Sequence, residues 1–269
     1  MFSLDPGAAA AILLAGALYV RAIRVLRRRG QRISTAQQLA WWAGLALTAA
    51  GLMSAIDTLA EDLLSAHMAQ HLLLAELGAP LMLMGLRSPV LLFMLPRPML
   101  VALARRRRLR KFLSFLARPL VAVPLYAIVL FTWHFDFMFE AALRNGLVHG
   151  LQHQSFIVIS LLVWWSALEP GRRRPRGELW KAGHIFAARA AGMFLGMAFI
   201  ALRAPVYDGF YGSRAREHGL TPLADQQVAG AMMLTLDLAI VLTAIAYFFW
   251  RSSEDDLKAQ ESERAEALG

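Results

Sequence analysis

Two histidine pairs, His67/His71 and His149/His153, each stand four residues apart in apolar sequence. That spacing puts both members of a pair on one helix face. Two such helices facing each other would bring four imidazoles to one depth, and His134 closes a third apolar stretch that could add a fifth. An imidazole ligates a metal through one nitrogen while a carboxylate or carbonyl orients the other N–H. Asp57, Asp136 and Asp225 are candidates for that orienting role or for metal entry, with Met53, Met68 and Met138 as soft thioether donors. Imidazole combined with thioether suits copper better than magnesium or calcium, so copper is the expected metal. Histidines on separate helices also allow axial haem ligation, the alternative cofactor. Blander uses stay open: helix-to-helix hydrogen bonding for the histidines and core filling for the methionines. His218 reads as a loop residue, and His184 is given no role.

The elements that must carry these residues are membrane helices. Hydrophobic residues make up 58% of the 269 and charged residues 17%, against about 25% charged in ordinary globular domains. Apolar stretches at 6–23, 38–56, 63–86, 119–138, 147–168, 182–203 and 227–250 each approach the roughly 20 residues needed to cross a bilayer. The expectation is an all-α integral membrane protein, a bundle of about seven transmembrane helices. Its polytopic domain covers 1–250, followed by a polar tail over 251–269 expected to be disordered or weakly helical. Residues 89–103, interrupted by Pro96-Arg97-Pro98, read as an interfacial or re-entrant segment. The apolar first stretch precedes its basic run and lacks a convincing cleavage site, so it is read as a retained helix.

Charge gives the bundle a direction. Most of the 28 lysines and arginines fall in Arg21–Arg32, Arg87–Arg118, Arg172–Lys181 and the tail from Arg251 onward. An outside N-terminus and a cytoplasmic C-terminus put all of these on the inner side. The outer side is mildly acidic and carries six of the seven histidines. Anionic lipid headgroups account for the net charge of +9 without nucleic acid. Glu76, Arg189 and Asp237 fall inside spans, where charge is paired or lines a proton or ion path. The chain has no cysteine, which excludes disulfides and thiolate chemistry. The absence of P-loop, GxGxxG, nucleophile-elbow and HExxH patterns argues against a standard ATPase or dinucleotide enzyme.

Across about residues 45–235 the sequence resembles the bacterial CtaG proteins associated with assembly of caa3-type cytochrome c oxidase. The resemblance is carried by SAIDTLAEDLLSAHMAQHLLL at 54–74, TWH at 132–134, HGLQHQSF at 149–156, LVWWSALEP at 162–170, PVYDGFY at 205–211 and LADQQVAGAMM at 223–233. It marks Asp57, His67, Gln70, His71, Trp133, His134, His149, His153, Asp225, Gln226 and Gln227 as distinctive positions. The chain departs from the pattern at Gln152, where an acidic residue is expected before the second histidine, and around Tyr207 and Tyr211. A cysteine-bearing, singly anchored copper chaperone shares the family's name, and this chain does not resemble it.

The resemblance implies a multi-pass protein of the bacterial inner (plasma) membrane that helps mature a cytochrome c oxidase. Its partners would be oxidase subunits or a copper chaperone. No bond-making step is required, so an assembly factor or metallochaperone is expected rather than an enzyme. The competing expectations are a haem-binding or quinol-linked oxidoreductase, a proton or metal transporter using Glu76 and Asp237, and a metal-free assembly scaffold.

Overall fold

The computed structural model describes residues 6–168 and 179–268. Glu169 and Pro170 of the LVWWSALEP segment, and the arginines between 172 and 176, lie outside the described residues. The regular structure is helical throughout the described residues. Helix α1 (Pro6–Arg28) ends in Arg27 and Arg28, cations that suit the negative end of its dipole. Gly30, at φ 74°, reverses the chain while the Gln31 N–H reaches back to the Leu26 carbonyl at 3.0 Å. This closes the helix with its last carbonyls satisfied. Ser34 opens α2 (Thr35–Met53) by accepting from the Gln37 N–H at 3.2 Å.

After the short α3 (Ala55–Ala60), the first histidine pair rides on α4 (Leu64–His71). That helix runs through a π-helical turn, Leu72–Gly78, into α5 (Ala79–Gly85). A proline-punctuated stretch follows, with α6 (Val90–Met94), α7 (Arg97–Arg105) and α8 (Arg107–Leu116). No residue of α7 or α8 is buried. The chain then bends into α9 (Pro119–His134), α10 (Asp136–Arg144) and α11 (Gly146–Leu168), which bears the second histidine pair. The remaining helices are α12 (Leu179–Ala201), α13 (Asp208–Glu217) and α14 (Pro222–Leu268).

The count of about seven spans is corrected. Among the described residues four helices are long and apolar enough to cross a membrane: α1, α11, α12 and Pro222–Glu254 of α14. A fifth exists only if α8 and α9, bent by 73°, form one span. The reasons are local. Gln37, Gln38, Trp41 and Trp42 dilute the apolar character of α2. The expected span at 63–86 is divided by the π-helical turn. The fourth expected span, 119–138, falls short because α9 stops after 16 residues at His134, where Phe135 turns extended. Helix α2 and the α4–α5 run pack alongside each other in opposite directions. Gln37 donates to the Gly85 and Arg87 carbonyls at 3.1 and 2.8 Å, while Gln70 donates to the Gly51 carbonyl at 2.9 Å.

The main core gathers side chains from α4, α9, α11, α12 and α14, including Met68, Tyr126, Phe156, Ile185 and Met233. A smaller one joins α1, α2 and α6, where Tyr19 stacks on Trp41 with ring centroids 4.6 Å apart. Helices α12 and α14 approach closely at a pair of glycines. A Cβ placed on Gly230 would sit 2.5 Å from the Gly196 carbonyl oxygen, and one on Gly196 would sit 2.7 Å from the Gly230 carbonyl oxygen. Only glycine permits this approach, the usual means by which membrane helices maximise van der Waals contact.

Midway along the bundle lies a buried charge cluster. Arg189 of α12 is fully buried and pairs with Glu76 on the π-helical turn. Its Nη1 is also 3.5 Å from the Asp237 carboxylate on α14. Tyr126 donates to Glu76 Oε1 at 2.9 Å, and the guanidinium carbon lies 4.4 Å from the Tyr126 ring centroid. The π-helical turn loosens the usual ladder, and Ser160 of α11 donates to the Ala75 carbonyl at 2.5 Å.

Two outcomes follow for detergent-purified protein. Arg189→Met strands two buried carboxylates and lowers unfolding free energy by about 3–5 kcal/mol, whereas Glu76→Gln, which can still bond Tyr126, loses less; calorimetry of both variants ranks them. Gly230→Val forces α12 from α14 and costs about 1–3 kcal/mol, read as a lower Tm in the same instrument.

Candidate functional site

The histidine end is assembled by polar side chains that reach between helices distant in sequence. Leu63, at the N-cap of α4, has no side-chain oxygen to offer the first free N–H groups. Asp225, on the first turn of α14 and fully buried, takes that place. Its carboxylate accepts from the Leu64 N–H at 2.7 Å, the Ser65 N–H at 3.1 Å and the Ser65 hydroxyl at 2.5 Å. A negative charge at a helix start also meets the positive end of the dipole. Gln226 accepts from the Val206 N–H at 2.7 Å and donates to the Phe199 carbonyl at 3.2 Å. Gln227 donates to the Ile200 carbonyl at 3.3 Å. Gln70 joins Asp57 at 2.6 Å, fixing the chain before α4 against α4 itself.

The aromatic residues complete this end. Trp133 donates to the Ser155 hydroxyl at 2.7 Å, joining α9 to α11. Tyr207 donates to the His134 carbonyl at 2.7 Å and Tyr211 to the Ala60 carbonyl at 2.9 Å. Burial pushes both phenols well above their ordinary range, with Asp136 adding to the effect at Tyr207 and Asp225 at Tyr211. Both therefore remain donors through the whole physiological pH range. Phe139 stacks on Tyr207 at 4.1 Å and lies 5.0 Å from His67.

Within this frame four imidazoles form one group. His67 packs edge-on to His71 at 4.4 Å and nearly parallel to His149 at 5.2 Å, with 23° between the planes. His71 meets His153 at 5.0 Å, and His149 meets His153 at 4.2 Å. His134 stands apart, 6.1 Å from Phe139 and 6.2 Å from Phe156, with its Nδ1 2.7 Å from the Leu130 carbonyl. Both nitrogens of His67 and of His71, and Nε2 of His134, His149 and His153, are buried without a hydrogen-bond partner among the described residues. The Ala60 backbone approaches His67 without reaching hydrogen-bond geometry.

The expected copper site, with haem as its alternative, is corrected by this geometry. A metal lies in the ring plane, about 2 Å from the nitrogen along its lone pair. Near-parallel rings such as His67 and His149 direct those lone pairs side by side rather than at a common point. Among the described residues no group of three or more His, Cys, Asp or Glu side chains is arranged to hold a metal ion. The chain has no cysteine to contribute. The cavity reaching His71 and His134 measures about 30 Å³, room for about two waters and far below the roughly 300 Å³ at which small-molecule pockets begin.

The other candidates disperse. Asp136 is exposed at the start of α10. Asp225 caps a helix, and Asp57 holds Gln70 while its charge still bears on His149. Met68 is buried core and touches the small cavity. Met53 and Met138 are half-buried, the latter packed against the main core. His218 pairs with Asp62 at 3.1 Å, and His184 lies 2.9 Å from the Val163 carbonyl toward the basic end. Sequence reasoning missed Ser65, Ser155 and Tyr126 as polar partners. The signal for Ser65 was present in Leu63, a helix start lacking its own cap.

This architecture defines a multi-pass bacterial membrane protein, all-helical over the described residues, with a polar histidine end. The chain belongs to the cytochrome c oxidase caa3 assembly factor family, CtaG, whose model matches residues 17–255. It is similar to two uncharacterized proteins, from Mycobacterium bovis and Mycobacterium tuberculosis. Each is 25% identical over 268 residues, covering 96% of this chain and 40% of the relative. The chain thus spans about two fifths of the length of the curated relatives it matches. No solved structure matches it.

Asp225→Ala leaves the α4 N–H groups unpaired and costs about 1–3 kcal/mol. Exchange of the Leu64 and Ser65 amides, followed by hydrogen–deuterium mass spectrometry, accelerates in the variant while the amides of α12 stay protected.

Proposed function

We propose that this protein assists the assembly of a caa3-type cytochrome c oxidase, as a membrane scaffold that receives an immature oxidase subunit at its histidine end. The family match over 17–255 supports the reading. The observation that carries it is the set of seven buried imidazole nitrogens, on His67, His71, His134, His149 and His153, that find no partner among the described residues. Leaving a buried polar group unpaired costs about 1–3 kcal/mol, and a phenylalanine would fill the same space without that penalty. A purely packing role therefore accounts poorly for histidine here. Next to the cluster, Phe135, Phe137, Leu147 and Leu151 are exposed, an apolar surface suited to a membrane helix of the client. A polar group carried by that helix would satisfy the imidazoles.

Shape-conserving changes separate this from packing alone. His67→Phe combined with His149→Phe keeps ring volume and removes the hydrogen-bonding nitrogens. In a strain lacking the endogenous gene, the double variant reaches wild-type abundance in the membrane but restores oxidase activity at least about tenfold less well, a loss of about 1.4 kcal/mol in productive association. Full restoration at equal abundance would assign the histidines to packing and remove them from the function.

A further inference from the structure

The described residues leave the basic end of the bundle open. A cleft of about 1040 Å³ opens there between the end of α5, the end of α11, the start of α12 and α14. Arg32, Arg87, Lys181 and Arg251 line it. Arg32 and Arg87 are exposed and Arg251 is half-buried, and among the described residues no carboxylate pairs with any of the three. The Lys181 ammonium is held inward, 5.8 Å from the Phe248 ring centroid. Glu76 lies at the inner end, where Arg189 already takes its charge.

The wall beneath this cationic mouth is apolar. Ile240, Ala244 and Phe248 of α14 face the cleft, as do Leu77 and Leu81. On its opposite side the same stretch of α14 exposes Leu238, Leu242, Ile245 and Phe249, the side that meets lipid tails. A helix apolar on both sides belongs in hydrocarbon on both sides. Water is thus a poor filling for the cleft, and a small soluble anion would leave its wall bare.

An occupant must therefore join an anion to a hydrocarbon chain. We infer that the cleft is a binding site for one anionic phospholipid, its phosphodiester at the arginine mouth and an acyl chain along α14. Guanidinium matches phosphate oxygens in paired hydrogen bonds and is weakly hydrated. The site is distinct from general attraction of basic residues to a charged surface. The arginines of α8, including Arg107 and Arg108, are equally basic but do not line this cleft. The inference is independent of the role in oxidase assembly.

Delipidated full-length protein in neutral detergent is titrated with dioleoylphosphatidylglycerol, dioleoylphosphatidylcholine or inorganic phosphate, and bound lipid is counted by native mass spectrometry. One phosphatidylglycerol per chain is expected to bind about tenfold or more tightly than phosphatidylcholine, and inorganic phosphate is not expected to displace it. Arg87→Gln with Arg251→Gln weakens that lipid about tenfold, while Arg107→Gln with Arg108→Gln leaves it unchanged. Ala239→Trp, at an exposed position lining the cleft, removes the bound lipid with every arginine still present. Equal retention of both lipids, equal weakening by the α8 pair, or undiminished binding in Ala239→Trp would each overturn the site. Displacement by inorganic phosphate alone would reassign the mouth to a soluble anion.

Discussion

A fully buried guanidinium governs this bundle. Arg189 sits where neither water nor headgroups can solvate it, so the fold must deliver carboxylates to it from elsewhere in the chain. It obtains one from the π-helical turn and one from α14, with a tyrosine of α9 covering the remaining side. Four separate segments are thereby fixed at one depth. The two ends of the molecule are built outward from that level. The histidine end is closed by hydrogen bonds that Asp225 and Gln226 accept and Gln70 donates, and the described residues leave the basic end partly open.

The polar positions of the family resemblance act mainly on backbone. Asp225 serves a helix start, Gln226 and Gln227 serve the last carbonyls of α12 and the chain after it, and Gln70 serves the end of α2. Away from water such groups cannot be left unpaired. One motif can then fix the position of α4, and with it His67 and His71, without any of its members touching an imidazole. The frame holds the rings against one another and leaves their buried nitrogens without a partner among the described residues.

The sequence made the co-location of the two histidine pairs legible, because four-residue spacing and charge bias are properties of a helix face and a helix end. Ring orientation is not such a property. It depends on side-chain torsions set by Phe139, Phe156 and the neighbouring helices, which is why spacing alone suggested a metal that the ring planes do not support. The helical class was legible for the same reason that the number of spans was not. Hydropathy measures apolar content over a window, whereas crossing also requires continuity. The π-helical turn after His71 and the extended Phe135 that ends α9 interrupt helices inside sequence that reads as continuous. Asp225 could be assigned to a polar shell from its position, yet its actual partner lies 161 residues away along the chain.

Helix α14 carries Asp225 near one end and Arg251 toward the other without a break, and the glycine contact clamps it to α12 between them. At about 1.5 Å of rise per residue, it is a rod that joins the two faces of the molecule. Mechanically, it can tilt or slide only together with its partner. Any axial shift imposed at the basic end would arrive at the start of α4 almost undiminished, and would move the first histidine helix relative to the second.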